Sequence, residues 1–308
     1  MHTKDHTKTQ GWGVVAEDGS EVWDDKPIFE NEKVTTKDLF KLLFYPKKFF
    51  LLHRINKALK QKRKLTNVYS DPFRILDVGC GTGASVIDMK KMFGREVEVV
   101  GLDVVHMQVD VAKMRAKQHG IHAEFFWYEG KQFPFSDNTF DAVYSSDVLG
   151  HVENVPFWLD EIHRVLRPSG VLAMFAESKL GRHAYLRNWF MRQGLNTDPH
   201  AEFHISLYSK QELKEMILGA GFDVEQMYSS VWAKFIVHPD ELYPALQRVD
   251  DWKLLPFKWM NAKLTWAKKK AHPVSAAISE LYSFFEMILV GRWIESQGYV
   301  ILAKTRKK

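Results

Sequence analysis

The chain has 308 residues, 45% of them hydrophobic and 26% charged, with a formal net charge of +5. That suits one large domain, or one domain with a sizeable insertion, and excludes collagen-like and disordered classes. One cysteine, Cys80, excludes an intrachain disulfide and suits a reducing compartment.

The first ten residues, MHTKDHTKTQ, are polar and do not read as a secretory signal. No apolar run approaches the ~18 residues of a spanning helix, so a cytoplasmic protein is expected. Residues 1 to 35 lack a period and read as a charged arm, pinned by Trp12 and Trp23. Thr36 is a candidate cap for a helix carrying Phe40, Leu43 and Phe44. Pro46 should break or kink it, and a second helical stretch runs to Lys64. From Phe73 strands and helices alternate. FRILDVG is a strand, and ASVIDMKKMFG a helix with Val86, Met89 and Phe93 on one face, stopping at Gly94. VEVVGLD is a strand ending in Asp103. HMQVDVAKMRAKQHG is a helix with Met107, Val111 and Met114 on one face. IHAEFFWY and FDAVYSSD are strands, followed by a helix with Pro156 in its first turn and a fifth strand, GVLAMFAE. Ser209 and Glu212 form a capping box for the next helix, which leads to a strand. The last strand-like stretch, GYVILAK, lies far downstream. About 65 residues separate these two strands, far beyond an ordinary connection. That alternation predicts a mostly parallel α/β sheet covered on both faces, with a helical insertion.

The stretch ILDVGCGTGASV places an aspartate in an apolar strand and then three alternate glycines. A strand, a glycine turn and a helix at the carboxyl edge of such a sheet bring backbone amides up to a ligand, and the helix N-terminus favours an anion. Gly79, Gly81 and Ala84 satisfy the dinucleotide form G-x-G-x-x-G/A, and Asp103 lies near the spacing of a ribose-binding acid. A dinucleotide and S-adenosylmethionine both carry a ribose, so these features alone do not separate them.

The remaining motifs do. D-x-G-x-G-x-G resembles the first motif of the class I S-adenosylmethionine-dependent methyltransferases. EGKQFPFSDNTFDAVYSSDVLGHVEN resembles the next two motifs of their small-molecule branch, and WLDEIHRVLRPSGVLA resembles a fourth. The resemblance covers residues 73–228 and resumes at 298–304. It implies a Rossmann-like seven-stranded sheet, mostly parallel with an antiparallel last strand, helices on both faces, and a helical lid. It divides the chain into an arm with helices capping the cofactor site (1–70), the S-adenosylmethionine-binding core (71–228), the lid (229–297) and a final strand with a basic tail (298–308).

The implied cofactor is S-adenosyl-L-methionine, whose methyl group would move onto a small apolar or aromatic acceptor. Asp77 would support the turn, and Gly79, Gly81 and Gly83 would lie under the methionine part. Asp103 would accept the ribose hydroxyls. Glu129 and Gly130 would read the adenine edge, although Glu stands where the family usually has Asp. Ser146 would face the methionine end. His151 and His204 are candidate catalytic residues, with His200 behind them, and Gly150 stands where the family often has Glu or His. Each has a structural alternative: tight packing for the glycines, a solvated strand end for Asp103, a surface carboxylate for Glu129, a small core residue for Ser146, and backbone-bonded histidines. Cys80 reads as a small buried residue. No metal-ligand spacing is visible, so no metal is expected.

In the insertion, Val274, Ile278, Leu281, Phe285 and Ile288 form one helical stripe, joined by Trp232, Trp252, Trp259 and Trp266. They are expected either to pack the lid's own core or to line a pocket for an apolar or aromatic acceptor. The basic clusters KALKQKRK, KKK and KTRKK would suit peripheral contact with an anionic membrane. RNA methylation is the alternative, with a nucleic-acid partner disfavoured because no RNA-binding module is present. A non-catalytic cofactor-binding partner protein is a third reading.

Overall fold

The computed structural model describes residues 26–306 apart from 32–33, 66–70, 95, 199, 202 and 230. Trp12, Trp23 and the first 25 residues of the expected arm lie outside the described residues, whereas Ile28 and Phe29 near its end are buried. Helix α1 (Thr36–Lys41) starts from a capping box one residue earlier than predicted. The Thr35 hydroxyl accepts the Asp38 N–H at 3.3 Å, and Asp38 accepts the Thr35 N–H at 3.0 Å. A short 3-10 turn follows, and Pro46 then opens α2 (Pro46–Leu65), where a missing N–H costs nothing.

The alternation from Phe73 appears as β1 (Phe73–Val78), α3 (Ala84–Phe93), β2 (Val97–Asp103), α4 (His106–Gln118), β3 (Glu124–Trp127), β4 (Phe140–Ser146), α5 (Val155–Val165) and β5 (Leu166–Ala176). Then come α6 (Tyr185–Arg192), α7 (Lys210–Gly219) and β6 (Phe222–Ser229). The insertion holds α8 (Lys234–Val237), α9 (Pro239–Gln247), α10 (Leu255–Lys270) and α11 (Val274–Leu289), before β7 (Tyr299–Thr305). The strands form one seven-stranded sheet in the order β3-β2-β1-β4-β5-β7-β6. Only β7 runs antiparallel. This is the Rossmann-like arrangement expected.

Successive strand residues face opposite sides. Phe73 and Ile75 pack with α2, α3 and α4, while Leu76 and Val78 pack with α5 and α7. Asp77 therefore belongs to the α2–α3 side. One carboxylate fastens that side. Asp88 on α3, fully buried, accepts the N–H groups of Ile28 (3.1 Å) and Phe29 (3.0 Å) and pairs with Lys48 Nζ of α2 at 2.7 Å.

Two helical faces differ from expectation. On α4 the buried positions are Gln108, Val109, Ala112 and Ala116, while Met114 is exposed. The helix approaches the glycine turn too closely for a methionine. On α11 the apolar stripe points outward: Val274, Ile278, Phe285 and Ile288 are exposed, and Ser279, Ser283, Glu286 and Met287 face inward. Trp232, Trp252, Trp259 and Trp266 are exposed as well. None of these tryptophans lines the cavity at the glycine turn; Trp252 and Trp259 line a shallow surface hollow on α10 with Leu255 and Leu264. The insertion's core is instead Phe235, Leu242, Leu246 and Leu254, packed with Phe190 from α6.

Candidate active site

A cavity of about 790 Å³ opens at the carboxyl ends of β1, β2, β4 and β5, beside the point where β2 and β4 flank β1. The glycine turn forms its floor. Gly79, Gly81 and Gly83 all have positive φ, at 76°, 51° and 85°. A Cβ on Gly79 would stand 2.2 Å from Val148 Cγ2. The N–H groups of Gly79 and Cys80 donate to the Leu102 carbonyl at 2.7 and 3.1 Å. Asp103 secures the rest, accepting the Gly81 N–H at 2.8 Å and the Val105 N–H at 2.9 Å.

Asp103 and not Asp77 therefore braces the turn. Asp77 is buried, and its Oδ2 has no hydrogen-bond partner among the described residues. Burial pushes its pKa up to about 8; Lys48 opposes the rise and Asp103 adds to it. Gly79, Gly81, Asp77, Asp103 and Ser146 all line the cavity. Gly83 does not. Its missing Cβ would meet Ala112 Cβ at 2.9 Å, so it serves the packing of α3 on α4. Glu129 and Gly130 also lie outside the wall; the Glu129 side chain is 62% exposed and reaches Lys131 at 3.5 Å. That end of the cavity is bounded by Val104, Val105, Gln108 and Tyr128.

The opposite end holds the histidines. His151 closes a 3-10 turn after β4 and is buried, its Nδ1 3.0 Å from the Phe203 carbonyl oxygen. His204 Nδ1 lies 2.8 Å from Asp198 Oδ2, and the two imidazoles are 5.1 Å apart. Burial alone would lower the His204 pKa, but the Asp198 hydrogen bond and charge carry it above its ordinary value. Asp198 also accepts the His200 N–H at 3.0 Å, and His200 lines the same wall.

Glu177 follows β5 directly. Burial, and then the nearby Asp147 charge, push its pKa up to about 8. Its Oε2 has no partner among the described residues. Asp147 has φ of 60°, uncommon for a side-chain-bearing residue, and takes hydrogen bonds from Ser146 Oγ (2.7 Å) and Lys47 Nζ (3.2 Å). Gly150 leaves no open space. A Cβ there would stand 3.1 Å from both Glu177 Oε2 and His204 Cδ2, so those two side chains fill the space.

One ligand-type atom from each of His151, Glu177 and His204 lies within 4.8 Å of the others. Sequence reasoning missed Glu177, Asp198 and Asp147. An acid closing an apolar strand, as Asp103 does, was the available signal for Glu177; nothing in the sequence marked Asp198. The insertion's contribution to the wall is mostly polar, with Lys234, His238, Glu241, Glu280, Ser283 and Gln297 among its residues.

Residues 75–170 match the family described as "Methyltransferase domain". A sterol 24-C-methyltransferase of Gibberella zeae is 34% identical over 104 residues, 33% of this chain and 27% of that protein. A demethylmenaquinone methyltransferase of Lactobacillus johnsonii is 30% identical over 162 residues, 48% of this chain and 66% of that protein. The chain thus spans less than two thirds of these curated relatives' lengths. A solved S-adenosylmethionine-dependent methyltransferase from Aquifex aeolicus is 22% identical, covering 64% of this chain and 93% of its own, with a TM-score of 0.44. Residues 75–170 of this chain are thus similar to a methyltransferase domain, on a Rossmann-like sheet. The orphaned Asp77 oxygen beside the turn fits S-adenosylmethionine, which brings an α-ammonium to be paired.

Proposed function

We propose that the protein transfers a methyl group from S-adenosylmethionine to a small amphiphilic acceptor taken from an anionic membrane surface. One observation carries the transferase part: the glycine turn, with an unpartnered buried carboxylate beside it, opens onto the same cavity as the His151–Glu177–His204 cluster. The cofactor supplies a methyl group on a sulfonium, whose carbon–sulfur bond breaks with its electron pair left on sulfur as the acceptor's lone pair bonds to carbon.

The chain's own work is positioning and exclusion of water. Asp77 pairs the ammonium. The first amides of α3, at Ala84 and Ser85, face the carboxylate with the positive end of the helix. Asp103 keeps further lone pairs for the ribose hydroxyls. Val104, Gln108 and Tyr128 bound the base in place of Glu129. His151 and His204 face the acceptor end. Their Nδ1 atoms are turned to Phe203 and Asp198, which leaves Nε2 as the lone-pair-bearing atom of each ring.

The polar lid wall suits a polar head group, so the acceptor's apolar part is assigned to the side near Phe44, Tyr45 and Phe175. Sterol and quinone acceptors in the names of the relatives support a small molecule, and nothing among them supports RNA. The membrane part rests on the outward stripes of α10 and α11. No helix among the described residues is long and apolar enough to cross a membrane.

The test is incubation with methyl-labelled cofactor and a cell lysate, followed by partition of the label. Label in the organic-soluble fraction, lost in Asp103→Ala and reduced in Asp103→Asn, is the expected result. Label in RNA would overturn the small-molecule reading. Cofactor binding without transfer to any fraction would favour the non-catalytic one.

A further inference from the structure

We propose that His151, Glu177 and His204 form a binding site for one divalent first-row transition-metal ion in the cavity wall. Three strands of observation meet there. The ligand-type atoms lie within 4.8 Å of one another. Three ligands held at ~2.1 Å from one ion in tetrahedral directions stand ~3.4 Å apart, so the side chains close inward by up to ~1.4 Å on binding.

The surroundings fit as well. Metal-binding imidazoles orient themselves by giving the far N–H to a carboxylate or carbonyl. His204 does so to Asp198 at 2.8 Å, and His151 to the Phe203 carbonyl at 3.0 Å. Glu177 Oε2 is buried, without a hydrogen-bond partner among the described residues, and a bound cation would satisfy it. Gly150 is what leaves the room, since any side chain there would run into Glu177 and His204. The nearby Lys47 ammonium is already engaged by Asp147 at 3.2 Å.

Two imidazoles and one carboxylate suit zinc, manganese, iron or cobalt, and not magnesium or calcium, which prefer all-oxygen sets. Three protein ligands leave open positions. The ion would turn these toward the cavity and hold an acceptor oxygen there. That use of the ion rests on the methyl-transfer reading; its binding does not.

The tag-free full chain, stripped with a chelator, is dialysed against cobalt(II), and bound metal and visible absorption are measured. One equivalent per chain, with a spectrum altered from the aqueous ion, is expected. Glu177→Gln, nearly isosteric, and His204→Ala should each lose that equivalent while S-adenosylmethionine still binds by calorimetry. Asp198→Asn should keep the spectrum and weaken affinity by about 10–100-fold. No saturable binding, or binding undiminished in Glu177→Gln, overturns the site. Cobalt binding in a protein that fails to bind S-adenosylmethionine would sink the transferase reading and leave the metal site standing.

Discussion

Gly79 and Asp77 show how much one position can decide. A methyl group at Gly79 would sit 2.2 Å from Val148 at a φ of 76°. Gly79→Ala should therefore cost at least ~1–3 kcal/mol from backbone strain alone. Adding Val148→Ala should return the steric part of the loss and leave the strain, which paired denaturant titrations would separate. A full rescue would mean the φ is not enforced. Asp77 makes a prediction about protons. Its pKa, raised to about 8 by burial, keeps the carboxyl largely neutral at pH 7 before the cofactor arrives. A raised carboxyl stabilises the fold below its unfolded pKa of 3.8, and this is lost as pH climbs toward 8. Pairing with the cofactor ammonium reverses the preference, so binding at pH 7 should release close to one proton, on the order of one per site. Calorimetry in buffers of different ionisation enthalpy would count it, and Asp77→Asn should abolish it. The glycine motif made Gly79 and Gly81 legible from sequence. It also drew in Gly83, which stands outside the cavity wall where α3 approaches α4. Glu129 was carried over from a family position, yet its side chain lies in solvent.

At the scale of elements, α3 is the helix on which the cofactor side turns. Asp88 ties it to α2 and to Ile28 and Phe29 through one buried carboxylate. Asp88→Ala would remove the buried carboxylate that pairs with Lys48 and takes two backbone N–H groups, costing about 3–5 kcal/mol. A fall in the denaturant midpoint with unchanged slope is the expected signature. A loss under ~1 kcal/mol, the size of an exposed pair, would show the linkage is not buried in solution. The α3 face was readable because Val86, Met89 and Phe93 follow a helical period and also pack. The α4 face was not: the contact selects for small size, so Ala112 and Ala116 go inward while the larger Met114 goes out. Helix α6 carries Leu186, Trp189 and Phe190 at helical spacing, and their burial depends on an insertion that comes later in the chain.

For the whole molecule, the notable feature is that two helices of the insertion are turned inside out. Helix α10 buries Asn261 and Thr265 and exposes Trp259 (70%) and Trp266 (63%). Helix α11 buries Ser279, Ser283 and Glu286, whose side chains hold the backbone of Val237, Ser279 and Trp232. On α11 these hydrogen-bonded polar groups lie beside the buried Phe284 and Met287, and on α10 Phe257 and Leu264 pack on the insertion's core, so both helices are anchored from one side while their largest apolar residues stay outside. The outward apolar stripes then call for an external partner. Lys263 lies 5.2 Å from the Trp259 ring centre and Lys270 lies 5.0 Å from that of Trp266, which alternates aromatic and cationic groups as a lipid–water boundary does. Sedimentation with anionic vesicles should pull the protein down, and neutral vesicles should do so far less. Each lysine near such a surface is worth ~1 kcal/mol, so Lys263→Gln with Lys270→Gln should weaken binding about 30-fold and raised salt should mimic the change. Replacing Trp259 and Trp266 with serine should weaken binding to both vesicle types, because that loss is apolar. Equal binding to neutral and anionic vesicles would remove the electrostatic part. A concentration-dependent doubling of mass without vesicles, lost in the same serine variants, would assign the stripes to a second copy of the chain.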